Sequence, residues 1–92
     1  MARWTFLTHH AHVLVAIAND PDITVDEIAA NVGITSRATT NILNDLVSEG
    51  YLERERIGRK NHYTINAEHP LRHPSNAHST LADLIEMLRG AH

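Results

Sequence analysis

The 92-residue chain contains no cysteine, one tryptophan, one phenylalanine and two tyrosines. Without thiols it can form neither disulfides nor thiolate metal sites. A domain this small must then find extra burial elsewhere, often against a partner subunit. Long hydrophobic runs are also missing. The longest, Val13 to Ala18, is far short of the roughly 20 apolar residues that span a bilayer. His9, His10 and His12 interrupt the N-terminal apolar stretch, so no signal-peptide core forms and a cytoplasmic protein is the default expectation. Repeats, low-complexity segments and linkers are absent, so one domain is expected over residues 1–92. What remains is 42% hydrophobic and 21% charged, a balance that folds rather than staying disordered.

The most informative stretch runs from Thr24 to Ile65. Thr24-Val25-Asp26-Glu27 has the pattern of a capping box, a hydroxyl satisfying one orphan N–H and a glutamate reaching back to another. Val25, Ile28, Ala29 and Val32 follow at one-face helical spacing, and Gly33 ends the helix. Thr35 or Ser36 can cap the next helix, expected over 36–49 with Gly50 as its left-handed stop. Its inward stripe is Ala38, Ile42, Leu43, Leu46 and Val47. Arg37, Thr40, Asn41, Asn44 and Ser48 lie opposite. A short helix, a glycine turn and a longer helix with a hydroxyl-and-amide face make a helix-turn-helix over 24–49.

A hairpin wing is expected over 51–65, with a strand from Tyr51-Leu52 to Ile57, a loop at Gly58-Arg59-Lys60-Asn61 and a return strand His62 to Ile65. Upstream, Thr8 can cap a first helix rich in Ala11, Val13, Leu14, Val15, Ile17 and Ala18. That helix is apolar on more than one side, which suggests a subunit contact. Asn19-Asp20-Pro21-Asp22 ends it, and Ile23-Thr24 can add a short strand edge. Trp4 and Phe6 read as core-packing residues of an extended arm. His69-Pro70 and His73-Pro74 break helix, and a last helix is expected over 76–89, with Gly90 ending it. Its Leu81, Leu84, Ile85 and Leu88, together with Val13 and Ile17, form the expected dimer interface. The fold class is therefore mainly α with a small β-hairpin: a winged helix-turn-helix with an additional C-terminal helix.

Net charge is −3 with histidines neutral, which by itself argues against a nucleic-acid partner, but placement matters more than the sum. Asp20, Asp22, Asp26 and Glu27 cluster in the first connection and second helix. Arg54, Arg56, Arg59 and Lys60 stand against Glu55 alone in residues 54–65. The sequence thus reads as polarised, with the hairpin as its basic end. Arg54 and Arg56 alternate with Glu53 and Glu55, so internal ion pairing and phosphate contact are equally open for them.

This order of elements resembles the MarR-type and ArsR-type winged-helix transcription regulators, in particular their short single-domain members. The residues that carry the likeness are Gly33 to Ala38, Leu46 to Leu52 and Arg54 through Tyr63, with Trp4 to Thr8 and Leu71 to Pro74 beside them. The resemblance implies a homodimer, in general a repressor, on double-stranded DNA, with recognition helices in successive major grooves and wings on the backbone or minor groove. By position, the implied DNA contacts are Ser36, Arg37, Thr40, Asn41 and Asn44 on the helix and Arg59, Lys60 and Asn61 on the wing. Many relatives carry a basic residue where this chain has Asn41, which can bond an adenine edge but neutralises no phosphate.

Other classes draw less from the residues. The eight histidines invite metal or pH sensing: His9 and His12, and Asp83 and Glu86, are one turn apart, while His69 and His73 are separated by proline-bearing chain. No HExxH or CxxC pattern accompanies them, so no metal and no cofactor is assigned, and no effector is named by the sequence. Protonating every histidine would make the net charge positive and favour DNA in acid. No nucleophile elbow, phosphate-cradling loop or carboxylate pair suggests an enzyme. The rival reading is a winged-helix module that docks a protein partner through the same helix face, for which the acidity and Asn41 are the best arguments.

Overall fold

The computed structural model describes residues 7–72 and 74–89. The chain forms α1 (His9–Asn19), α2 (Val25–Val32), α3 (Ser36–Ser48), β1 (Leu52–Ile57), β2 (Lys60–Ile65), a short 3₁₀ turn at Pro74–Asn76, and α4 (Leu81–Arg89). The expected arm at Trp4 and Phe6, the His73 end of the His69/His73 pair and the Gly90 stop lie outside the described residues.

Local chemistry accounts for most boundaries. Thr8 caps α1, its side chain accepting from the Ala11 N–H. At α2 both halves of the capping box form: Thr24 Oγ1 accepts from the Glu27 N–H at 3.2 Å, and Glu27 Oε1 accepts from the Thr24 N–H at 3.0 Å. Thr35 caps α3 through the Ala38 N–H at 3.0 Å. Gly33 and Gly50 follow their helices at φ 84° and 85°, a region where a side chain is costly.

One core joins the four helices and the hairpin. Val13, Leu14 and Ile17 of α1 meet Ile28 of α2, Ile42, Leu43 and Leu46 of α3, Tyr51, Leu52 and Tyr63 of the hairpin, and Leu81 and Ile85 of α4. Thr39 is fully buried in the α3 stripe, and its hydroxyl donates to the Thr35 carbonyl at 2.9 Å. That satisfies a polar group that would otherwise be costly to bury.

Four expectations change. First, α4 starts at Leu81 rather than 76, because the described residues just before it place their backbone bonds in turns, a bridge and the short 3₁₀ turn rather than in an α-helix. Leu71 N–H donates to Ser79 O and Leu81 N–H to His69 O, both at 3.0 Å, and Pro70 bridges Thr80. Thr80 and Asp83 then bond reciprocally across the first turn, at 2.9 and 3.4 Å. Second, the hairpin loop is two residues, Gly58-Arg59; Lys60 and Asn61 pair with Ile57 and Arg56 as part of β2. Gly58 takes φ 63° and Arg59 does not have positive φ, the pattern of a type II′ turn. Third, Ile23-Thr24 forms no strand edge. Their N–H groups go to Asp20 O and Glu27 Oε1, and the connection meets the sheet through one backbone bond, Tyr63 N–H to Pro21 O at 3.1 Å. Fourth, Val13, Ile17, Leu81 and Ile85 are buried inside this chain's own core. The apolar surplus of α1 and α4 is thus largely closed in cis, with Leu84 and Leu88 half-buried and Met87 exposed.

Candidate nucleic-acid interface

The polar side of α3 is set by the burial of its opposite stripe. Ser36, Arg37, Thr40, Asn41, Asn44 and Ser48 are all exposed, as the 3.6-residue period requires once Thr39, Ile42, Leu43 and Leu46 are inside. Several of these side chains are already oriented. Ser36 Oγ donates to Asp26 Oδ1 at 2.6 Å, tying the first turn of α3 to α2. Thr40 Oγ1 donates back to the Ser36 carbonyl at 3.1 Å. Arg37 and Asn41 have no side-chain partner among the described residues.

The wing meets this face through a residue the sequence left undecided. Arg54 Nη1 donates to Asn44 Oδ1 at 3.2 Å. Side chains alternate across a strand, so Leu52, Arg54 and Arg56 share one face of β1 and Glu53, Glu55 and Ile57 the other. Arg54 stands opposite buried Tyr63 in the ladder, on the face turned towards the body of the domain. Neither arginine forms an ion pair with Glu53 or Glu55; Arg56 Nε instead donates to the Gly58 carbonyl at 3.3 Å. The Glu-Arg-Glu-Arg alternation was the available signal for this separation.

Arg59 and Lys60 are exposed at the hairpin tip, and Asn61 is half-buried beside them. The tip does not lie at an end remote from the acidic segment. Asp22, Ile23, Thr24 and Val25 face Arg59, Lys60, Asn61 and Tyr63 across a cavity of about 180 Å³, and His62 Nδ1 meets Asp22 Oδ1 at 2.8 Å. The Glu27 carboxyl is held below the ordinary carboxylate range, first by the Thr24 backbone N–H, then by the Thr24 side chain, with Lys60 adding to the effect. The polarity of the sequence is therefore partly neutralised by folding.

The remaining histidine contacts are structural in kind. His10 pairs with Asp45 at 3.0 Å, joining α1 to α3, and the His69 ring packs on Tyr51 with centroids 4.2 Å apart. Among the described residues no group of three or more histidine or carboxylate side chains could hold a metal. No helix among them is long and apolar enough to cross a membrane.

The MarR family sequence profile matches residues 5–59, from before α1 through the recognition-type helix to the hairpin turn. The chain belongs to the MarR family. Membership supports a DNA-binding role in transcription regulation. Among solved structures, this MarR-family chain is similar to MepR, a transcription regulator of the Staphylococcus aureus multidrug efflux pump MepA, with a TM-score of 0.55 and 18% identity. The alignment covers 90% of this chain and 55% of that one, so the chain spans little more than half the length of MepR. At that identity the likeness carries the winged helix-turn-helix fold alone. No curated protein matches the chain.

Proposed function

We propose that this MarR-family chain is a sequence-specific regulator of transcription that binds double-stranded DNA as a homodimer, in general as a repressor. α3 enters the major groove through Ser36, Arg37, Thr40, Asn41 and Asn44. The wing approaches the backbone or minor groove with Arg59, Lys60 and Asn61. The observation that carries the reading is continuity: Arg54 spans from β1 to Asn44 on α3, so helix face and wing make one exposed polar surface. α3 is 13 residues long, about 20 Å at 1.5 Å per residue, and suits a groove about 12 Å wide. A face serving solubility alone more often uses Glu and Lys than Ser, Thr and Asn. Family membership and the surface of α4 left around Met87, Leu84 and Leu88 support the dimer; its half-sites would lie about 34–36 Å apart.

Fluorescence anisotropy on random duplex DNA at low and high salt tests the proposal. Binding at low salt that falls steeply as salt rises is expected. Absence of binding at micromolar protein would favour a winged-helix module that docks another protein.

A further inference from the structure

Asn44 is held by a single hydrogen bond with consequences for what it can read, given the DNA-binding function proposed above. The donor is Arg54 Nη1, 3.2 Å from Asn44 Oδ1. A guanidinium has donors only, so it can meet only the oxygen end of a carboxamide. The bond therefore fixes the amide: oxygen towards β1, NH₂ turned away from it. Asparagine recognises adenine by using both ends, accepting from N6–H and donating to N7. With its oxygen engaged, Asn44 leads with donors.

Its hydroxyl neighbours do not share this bias: Thr40 directs its proton at the Ser36 carbonyl and Ser36 its own at Asp26, so both oxygens are left as acceptors. Arg37 is exposed and offers only donors. In the major groove guanine presents two acceptors, N7 and O6. Adenine presents one acceptor beside a donor, thymine one acceptor beside a methyl, and cytosine a donor.

We infer that Arg54 is a specificity-determining residue: by holding Asn44 Oδ1 it turns a side chain suited to adenine into a donor aimed at guanine. Arg54 acts here as a positioning residue. Its effect is on which base is chosen at one pair, beyond the general attraction of its charge for phosphate.

Selection from a random-sequence duplex pool, run in parallel on the wild type, Asn44→Ala and Arg54→Met, tests this. Both positions are exposed, and matched thermal melts verify that the variants fold. The base pair whose preference relaxes in Asn44→Ala marks the contact. The wild type is expected to favour guanine over adenine there by about 5-fold, the low end of base discrimination, because Asn44 offers its amino group alone. Arg54→Met is expected to bind all sequences more weakly and, at that pair alone, to move preference towards adenine. A wild type that selects adenine there, an Arg54→Met variant that keeps the guanine preference, or an Asn44→Ala variant that relaxes no pair overturns the inference while leaving DNA binding intact. A wild type that enriches nothing removes the DNA-binding reading itself, and this inference with it.

Discussion

Gly50 packs against the ring of His69: a Cβ added at Gly50 would lie 3.3 Å from His69 Nε2. The ring has little room to yield, because it rests on Tyr51 and its Nδ1 is 2.8 Å from the Pro70 carbonyl oxygen. Gly50 also accepts from Asn66 Nδ2 through its carbonyl. The end of α3 and the segment leading to α4 are thus fastened at one glycine.

Gly50→Ala should therefore cost more than Gly33→Ala. Both glycines sit at positive φ, but a Cβ at Gly33 would meet nothing within 4 Å. The left-handed conformation alone costs roughly 1–2 kcal/mol for an L-residue, which is the loss expected at Gly33. Denaturant unfolding should place Gly50→Ala clearly below it, and Gly50→Ala/His69→Ala should recover part of the gap.

The Thr24–Glu27 capping box gives α2 a pH signature. Thr24→Ala should lose about 1 kcal/mol, the usual worth of an N-cap. Because the Glu27 carboxyl titrates lower in the folded state than its ordinary 4.5, its contribution is full above that value. It disappears as pH falls through the depressed one. Glu27→Gln should remove this part of the acid-side decline, read from unfolding midpoints between neutral and strongly acidic pH. An NMR titration of Glu27 should give a midpoint below 4.5.

Wing and helix should separate in binding experiments. Arg59→Ala/Lys60→Ala should weaken binding to every sequence and reduce the slope of log affinity against log salt by up to about 2, near 0.9 for each phosphate no longer neutralised. Thr40→Ala should instead relax preference at particular base pairs with the slope unchanged. A double wing variant that binds as the parent does would dismiss the wing from the interface.

The two sides of α4 should answer differently. Leu81 is fully buried, so Leu81→Ala should cost about 2–5 kcal/mol of monomer stability. Met87 is 66% exposed, and Met87→Glu should leave the unfolding of the isolated fold within about 0.5 kcal/mol of the parent. If α4 joins two copies, sedimentation should report a shift of Met87→Glu towards monomer.

Tyr51 offers a stability gain. Its hydroxyl is buried with no hydrogen-bond partner among the described residues, and an unpaired buried polar group costs about 1–3 kcal/mol. Tyr51→Phe keeps the ring on His69 and removes that group. A rise in Tm is expected, at about 4–8 °C per kcal/mol for a domain of this size.

Local chemistry along the chain was enough to determine α1, α2 and α3, the helix-turn-helix and the existence of the hairpin. Caps at Thr8, Thr24 and Thr35, left-handed stops at Gly33 and Gly50, and the apolar periodicity all act within one or two helical turns, so residue order contains them. The exposed face of α3 was legible for the same reason, since burying one stripe obliges the opposite one to face out. Tertiary structure alone decided where α4 begins, because the bonds of Leu71 and Leu81 reach across the 66–80 segment. It also decided that Val13, Ile17, Leu81 and Ile85 close on one another within one chain, that the basic tip lies beside Asp22, and that Arg54 takes Asn44 rather than a neighbouring glutamate. Each of those outcomes depends on which distant surface arrives opposite, and periodicity specifies only that a face is apolar or charged, not what meets it.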